Sequence, residues 1–335
     1  MQVATEGALP FIARNLGDSL GVPTRLRQFV AGHRDLCVPL QVPPRSVAKR
    51  SVVQWDHWSR GIWSLHDRKG TFQYWSGKAP YRGASLVYRE DLEHFTSETV
   101  DANWSCDSRA IVGLSASRSD LEKFMTLDEL AETDFPEMLH PVSEDKIREN
   151  LNKHSYYSEF SGITDAQKRS GQFCRYMWDE GRVYLANSVD MHPIIAARYI
   201  ARRLQKPITL YGTLHTHSIN VDAACSLTDD FDIYTMPGPS AHVAFSDAMN
   251  MFGAPFGVYG LPRRVLVGKG GKMTRYLGGS NGFLNMQETN DQDVRLILLP
   301  REDELAMSVS KVFREAGLFD AGRFILETAR RQAKV

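Results

Sequence analysis

The chain has 335 residues, 42% hydrophobic and 24% charged, and its 40 Lys and Arg balance 40 Asp and Glu. That apolar fraction excludes a disordered chain, and the zero net charge excludes a uniformly basic coat for nucleic acid, though not a local basic groove. No stretch approaches the roughly 20 apolar residues of a membrane span, so no membrane association is expected. Glu6, Arg14 and Asp18 break the basic-then-apolar pattern of a signal peptide. Cys37, Cys106, Cys174 and Cys225 are far apart and form no CxxC pair. That spacing suits reduced thiols in a cytoplasmic protein better than a disulfide framework or a zinc knuckle.

In chain order, Phe11–Leu20 reads as a short helix and Val42–Arg50, with its Pro43-Pro44 pair, as an extended connector. Residues 51–115 are rich in aromatics and turn residues, so Gly61–Leu65, Thr71–Trp75 and Ala84–Tyr88 read as short antiparallel strands. A packed aromatic face outweighs a base-stacking platform built with Arg60, Arg68, Lys69 and Lys78, because no aromatic repeats at a fixed spacing. Ser119–Leu130 reads as one helix capped by Ser119 or Asp120. A short strand ending at Ser143 leads into a brief helix that Ser143 caps.

Phe173–Trp178 and Arg182–Asn187 form a hairpin across Asp179-Glu-Gly181. A helix runs from the Asp190-Met-His-Pro element to Leu204, with Pro193 in its first turn, and Ile208–Leu214 is the following strand. Ser240–Phe252 reads as a helix, Gly253–Gly260 as a loop and Leu261–Val267 as a strand. The Gly-rich stretch after Val267 is a hairpin turn rather than a P-loop, since Met273 follows Lys272. Arg301–Gly317 and Ala321–Ala333 are two amphipathic helices, a helical hairpin that packs on the core or serves self-association or a protein partner.

The stretch Leu139–Leu214 resembles the ParB/sulfiredoxin-like fold. Ile147-Arg-Glu-Asn150 stands for that superfamily's I-x-x-N opening, and Asp190-Met-His192-Pro-Ile-Ile-Ala196-Ala197 for its D-G-x-H-R or G-C-H-R element. Met191 stands where the family has Gly, and Pro193 where its Arg follows the His. The resemblance implies a nucleotide site, as sulfiredoxin binds ATP and the partition proteins bind CTP, with nuclease activity in some members. Asn150, Asp190, His192 and Arg198 would line it, with His215 and His217 nearby and phosphate at the free N–H groups of a helix start.

The expected fold class is therefore α+β: an aromatic-rich β region over 1–130, a ParB/sulfiredoxin-like core over 131–290 and a helical tail over 291–335. The expected function is nucleotide or nucleic-acid binding in a protein of bacterial or mobile-element origin, with hydrolysis of nucleotides or phosphodiesters as its chemistry. Arg263, Arg264, Lys269 and Lys272 are candidate phosphate contacts. One alternative is a non-catalytic protein-interaction module on the same fold. Another is a hydrolase with a divalent metal on His215 and His217, which an extended chain points the same way, completed by Asp229, Asp230 or Asp232. No G-x-S-x-G elbow or Rossmann fingerprint occurs.

Overall fold

The computed structural model describes residues 17–33, 35–40, 46–53, 55–57, 70–77, 84–152, 171–186, 191–237, 239–260 and 294–334. Their elements, in chain order, are α1 (Thr24–Gly32), β1 (Thr71–Trp75), β2 (Ser85–Tyr88), α2 (Glu90–Glu93), β3 (Thr96–Asp107) and β4 (Ile111–Leu114). Next come α3 (Leu127–Asp134), α4 (Glu144–Asn152), β5 (Gln172–Tyr176), β6 (Arg182–Leu185), α5 (His192–Arg203) and β7 (Thr209–Ile219). The last are α6 (Val221–Asp230), β8 (Phe231–Met236), α7 (Pro239–Phe252), β9 (Phe256–Gly260), β10 (Arg295–Pro300), α8 (Glu304–Glu315) and α9 (Ala321–Gln332). The protein is α+β. None of the described helices is long and apolar enough to cross a membrane.

Two compact units interleave along the chain, where the sequence reading divides it sequentially at 130 and 290. The first comprises Met1–Gln41, His57–Phe95 and Val221–Thr328, the second Val42–Asp56, Thr96–Asn220 and Ala329–Val335.

The first unit holds an antiparallel sheet in the order β2-β1-β9-β10-β8. Leu296, Ile297, Leu298 and Leu299 of β10 are all fully buried, as an unbroken apolar run requires of a strand covered on both faces. Trp75 stacks on Phe256 at 4.8 Å, and α1, α7 and α8 supply Leu26, Phe245 and Phe313 to the same core. Asp303 caps α8 by accepting the Ala306 N–H at 2.8 Å, and Gly317 (φ +72°) closes it with the Leu318 N–H donating to the Phe313 carbonyl. Val309, Val312 and Phe313 of that helix, and Ile325 and Ala329 of α9, are buried within the chain. The apolar stripes of the tail thus pack on the core, one of the two placements expected for them.

The second unit holds a mixed sheet in the order β3-β7-β5-β6-β4. β7 runs antiparallel to β3 and parallel to β5, β5 antiparallel to β6, and β6 parallel to β4. One face carries Phe173, Val183, Leu185, Leu210 and Leu214 against α3, α4 and α5. The other face carries Cys174, Tyr176 and Tyr184 with Val52. The segment 46–57 reaches that second face along β4, where the Leu114 N–H donates to the Val47 carbonyl at 2.8 Å. Gly113 permits the approach: a Cβ there would sit 2.2 Å from the Val47 carbonyl oxygen.

Several local expectations change. Ser119–Leu130 is not one helix. Asp120 caps a single 3₁₀ turn, and Thr126, itself extended, caps α3 by accepting the Glu129 N–H at 3.1 Å. The Thr126-x-x-Glu129 spacing carries that start signal. Among the described residues no strand ends at Ser143, although Ser143 does cap α4 through the Lys146 N–H. The strand drawn to Leu214 continues to Ile219, and the loop drawn over Gly253–Gly260 contains β9. The Gly61–Leu65 strand, the Leu261–Val267 strand and the Gly-rich hairpin lie outside the described residues, as does all of the Phe11–Leu20 helix before Gly17.

Two stability predictions follow from these cores. Gln332 acts as a substitute backbone at the end of β7: its Oε1 accepts the Ile219 N–H at 3.1 Å and its Nε2 donates to the Ile219 carbonyl. Both groups are buried, so Gln332→Ala is expected to cost about 1–3 kcal/mol in urea unfolding. In α7, His242 is 5% exposed and its Nδ1 has no hydrogen-bond partner. Burial, helped by the charge of Arg295, pushes its pKa down from 6.5 to about 4. The unfolded chain then binds the extra proton between those values, so stability falls as pH drops from about 6.5 toward 4, by up to about 3 kcal/mol. His242→Phe should flatten that slope in a pH series of melts.

Candidate active site

Side chains alternate along β7, so Leu210 and Leu214 enter the helix-covered core while His215 and His217 lie on the opposite face. The sheet register then decides their neighbours. β5 sets Cys174 beside His215 and Tyr176 beside His217, and β3 sets Val100 and Glu98 on the other side. The two histidine Cα atoms are about 6.7 Å apart by strand geometry.

His215 is held at both nitrogens. Its Nδ1 lies 2.6 Å from Glu98 Oε1 and its Nε2 3.1 Å from Gln172 Oε1. A carboxylate on one nitrogen fixes the ring's orientation and directs the other at a reacting group. His215 remains one-third exposed, so the pair is reachable from solvent.

His217 stacks on Tyr176, with ring centroids 5.4 Å apart. Burial lowers its pKa; the charges of Lys49 and His215 act in the same direction, while Asp56 and Glu98 oppose them. It is therefore neutral at pH 7. Lys49 Nζ lies 5.5 Å from the Tyr176 ring centroid, on the segment laid over this face. Cys174 is 2% exposed, and burial pushes its thiol up, with Lys49 and Tyr176 only partly opposing. An inaccessible thiol packed against Val52 and Tyr184 is part of the floor of the site, not a nucleophile.

The described residues of that resemblance, Asn150, His192 and Arg198, are each engaged in packing. Asn150 is fully buried in α4, where its Nδ2 donates to the Met138 carbonyl at 3.0 Å. Arg198, also buried, donates to Asp128 at 2.6 Å, and Arg202 holds the other carboxylate oxygen. That trio fastens α5 to α3. His192 opens α5, its Nε2 bonded to the hydroxyls of Ser117 (3.0 Å) and Ser119 (3.1 Å), its ring stacked on Phe135 at 4.5 Å. Because Phe135 belongs to the helix-side core, His192 and the His215/His217 pair lie on opposite sides of the sheet. Asp190, Arg263, Arg264, Lys269 and Lys272 lie outside the described residues.

Two of the three carboxylates expected to complete a metal site are engaged in the first unit. Asp232 accepts from Arg301 and Ser310, and Asp230 pairs with Arg89. Among the described residues no three His, Cys, Asp or Glu side chains gather in a metal-binding arrangement. Glu98, Gln172, Lys49 and Tyr176 were not marked in the sequence. None lies in a recognisable motif, and each reaches the histidines only through strand register or through the 46–57 segment.

The bonding of His192 predicts a structural contribution. His192→Ala removes a ring stack and two hydroxyl partners, and a loss of about 1–2 kcal/mol is expected in chemical denaturation.

Residues 101–268, half of the chain, match the model of a family of unknown function, DUF6685. No curated protein and no solved structure matches.

Proposed function

This chain belongs to the DUF6685 family of unknown function, and we propose that it is a phosphoryl-transfer enzyme that hydrolyses a phosphate ester or phosphoanhydride of a nucleotide or nucleic acid. The observation that carries the reading is the pair of histidines on one face of β7, one held by Glu98, the other kept neutral by burial, with Lys49 beside it.

Cleaving a P–O bond needs a base to take the proton of the attacking water and an acid to protonate the departing oxygen. Both must be in place together, within reach of one phosphorus. His217, neutral at pH 7, fits the base. His215 fits the acid: its Nδ1 is committed to Glu98, so Nε2, now beside Gln172, is the nitrogen that would deliver the proton. In the balanced step, the water oxygen forms a bond to phosphorus as its proton passes to His217. The bond to the leaving oxygen breaks as His215 protonates it. Lys49 supplies positive charge next to His217, where the phosphoryl oxygens would sit.

The first assay is release of nitrophenol from bis(p-nitrophenyl) phosphate and of phosphate from ATP, CTP and GTP by the purified chain. His215→Ala and His217→Ala are each expected to lower turnover by about 10²-fold or more. Glu98→Gln, which keeps the shape but loses the charge, is expected to cost about 10-fold or more. Because His217 titrates below the ordinary histidine value, the acid limb of kcat/KM should lie below pH 6.5. It should vanish in His217→Ala. No turnover of any phosphate ester, or turnover indifferent to both histidines, defeats the reading.

A further inference from the structure

Among the described residues β3 is an edge strand. Its one strand partner among them is β7, and it runs for 12 residues, twice the usual strand length of about 5–6. Ser97, Glu98, Thr99, Val100, Asp101, Ala102 and Asn103 are all exposed. Proteins commonly blunt such edges with lysine, proline or shortness, since a row of unpaired N–H and C=O groups is a template for another strand. Thr96–Asp107 contains no Lys, Arg or Pro. A register shift between Asp101 and Trp104 bends its far end, leaving the first half as the straight part.

The charges on the strand indicate what fits there. If β3 pairs antiparallel with its own copy about a two-fold axis at Val100, Glu98 faces Ala102, Asp101 faces Thr99 and Ser97 faces Asn103. No carboxylate then stands directly opposite another. Val100, 58% exposed in one copy, gains an apolar partner in its twin. Centring the axis on Glu98 or on Asp101 would instead set carboxylate against carboxylate. Centring it on Thr99 would set Val100 against Glu98. Among two-fold axes on residues 98–101 of the straight stretch, the one at Val100 alone satisfies both charge and apolar matching.

We propose that the β3 edge is the interface between two copies of this chain, joined as a symmetric antiparallel β3–β3 pair about Val100. The two sheets become one continuous sheet, and the contact is isologous, as a two-fold dimer requires. The proposal is independent of the chemistry assigned to the histidines.

The test is sedimentation velocity of the full chain across a concentration series, with oxidative cross-linking alongside. The wild type is expected to be a dimer. Val100→Lys places two ammonium groups on the axis and is expected to give a monomer with an unchanged circular-dichroism spectrum. Residues directly opposite in an antiparallel pair have Cα atoms about 4.5–5.5 Å apart, within disulfide reach. On a Cys37→Ser background, Val100→Cys should therefore close to a covalent dimer under copper-phenanthroline. Thr96→Cys should not, because in this register it faces Trp104 of the other copy. A monomeric wild type, a dimer that survives Val100→Lys, or cross-linking at residue 96 in place of residue 100 overturns the proposal.

Discussion

β7 stands between an antiparallel neighbour and a parallel one, and its side chains must alternate between two environments with different demands. Leu210 and Leu214 are drawn into a core that also takes Phe173, Leu185 and the apolar side of α5. Once those residues are buried, His215 and His217 have one direction left. A slip of one residue in register would bury both imidazoles among leucines and expose the leucines. The hydrophobic demand of one face thus positions the polar chemistry of the other.

The same alternation acts in β5, where Phe173 joins the helix side and Cys174 and Tyr176 the other. On that second face Tyr184 donates to the buried Asp179, and the indole N–H of Trp178 donates to the Val53 carbonyl. The Trp178 bond and the Leu114–Val47 bond tie the 46–57 segment to the sheet and so determine where Lys49 lies. On the helix side, Asp128 is shared by Arg198 and Arg202. A buried guanidinium without its carboxylate would be costly, so Arg198 is held in packing and is not offered to a ligand.

The first unit solves its problem by apolar continuity. β10 is buried on both faces, and the helices around the sheet contribute Phe245 and Phe313, which meet at 5.7 Å. Its polar network, Tyr234 bonded to Ser310 and Ser310 to Asp232, with Arg301 on the same carboxylate, engages Asp232 just after α6. In sequence Asp230 and Asp232 resemble ligands. In the fold both have partners already.

Local signals settled much of this from the amino acids alone. Thr71–Trp75 is β1 to the residue, the Asp179-Glu-Gly181 turn joins two strands with Glu180 and Gly181 at positive φ, and Pro193 and Gly317 sit at the helix ends where their geometry suits. Such features depend on neighbours a few residues away, so short-range sterics and caps decide them. The same-side placement of His215 and His217 was likewise legible, because period two is a property of any strand. Their surroundings were not. Glu98 is 117 positions from His215, and Lys49 reaches His217 from a segment on the far side of β4. Nothing in either residue's neighbourhood marks it, because sheet order and register are settled by long-range packing. Asn150 and Arg198 show the converse: their motif positions were visible, but only the packed core decides whether a polar side chain is spent on a carbonyl or carboxylate or left for a ligand.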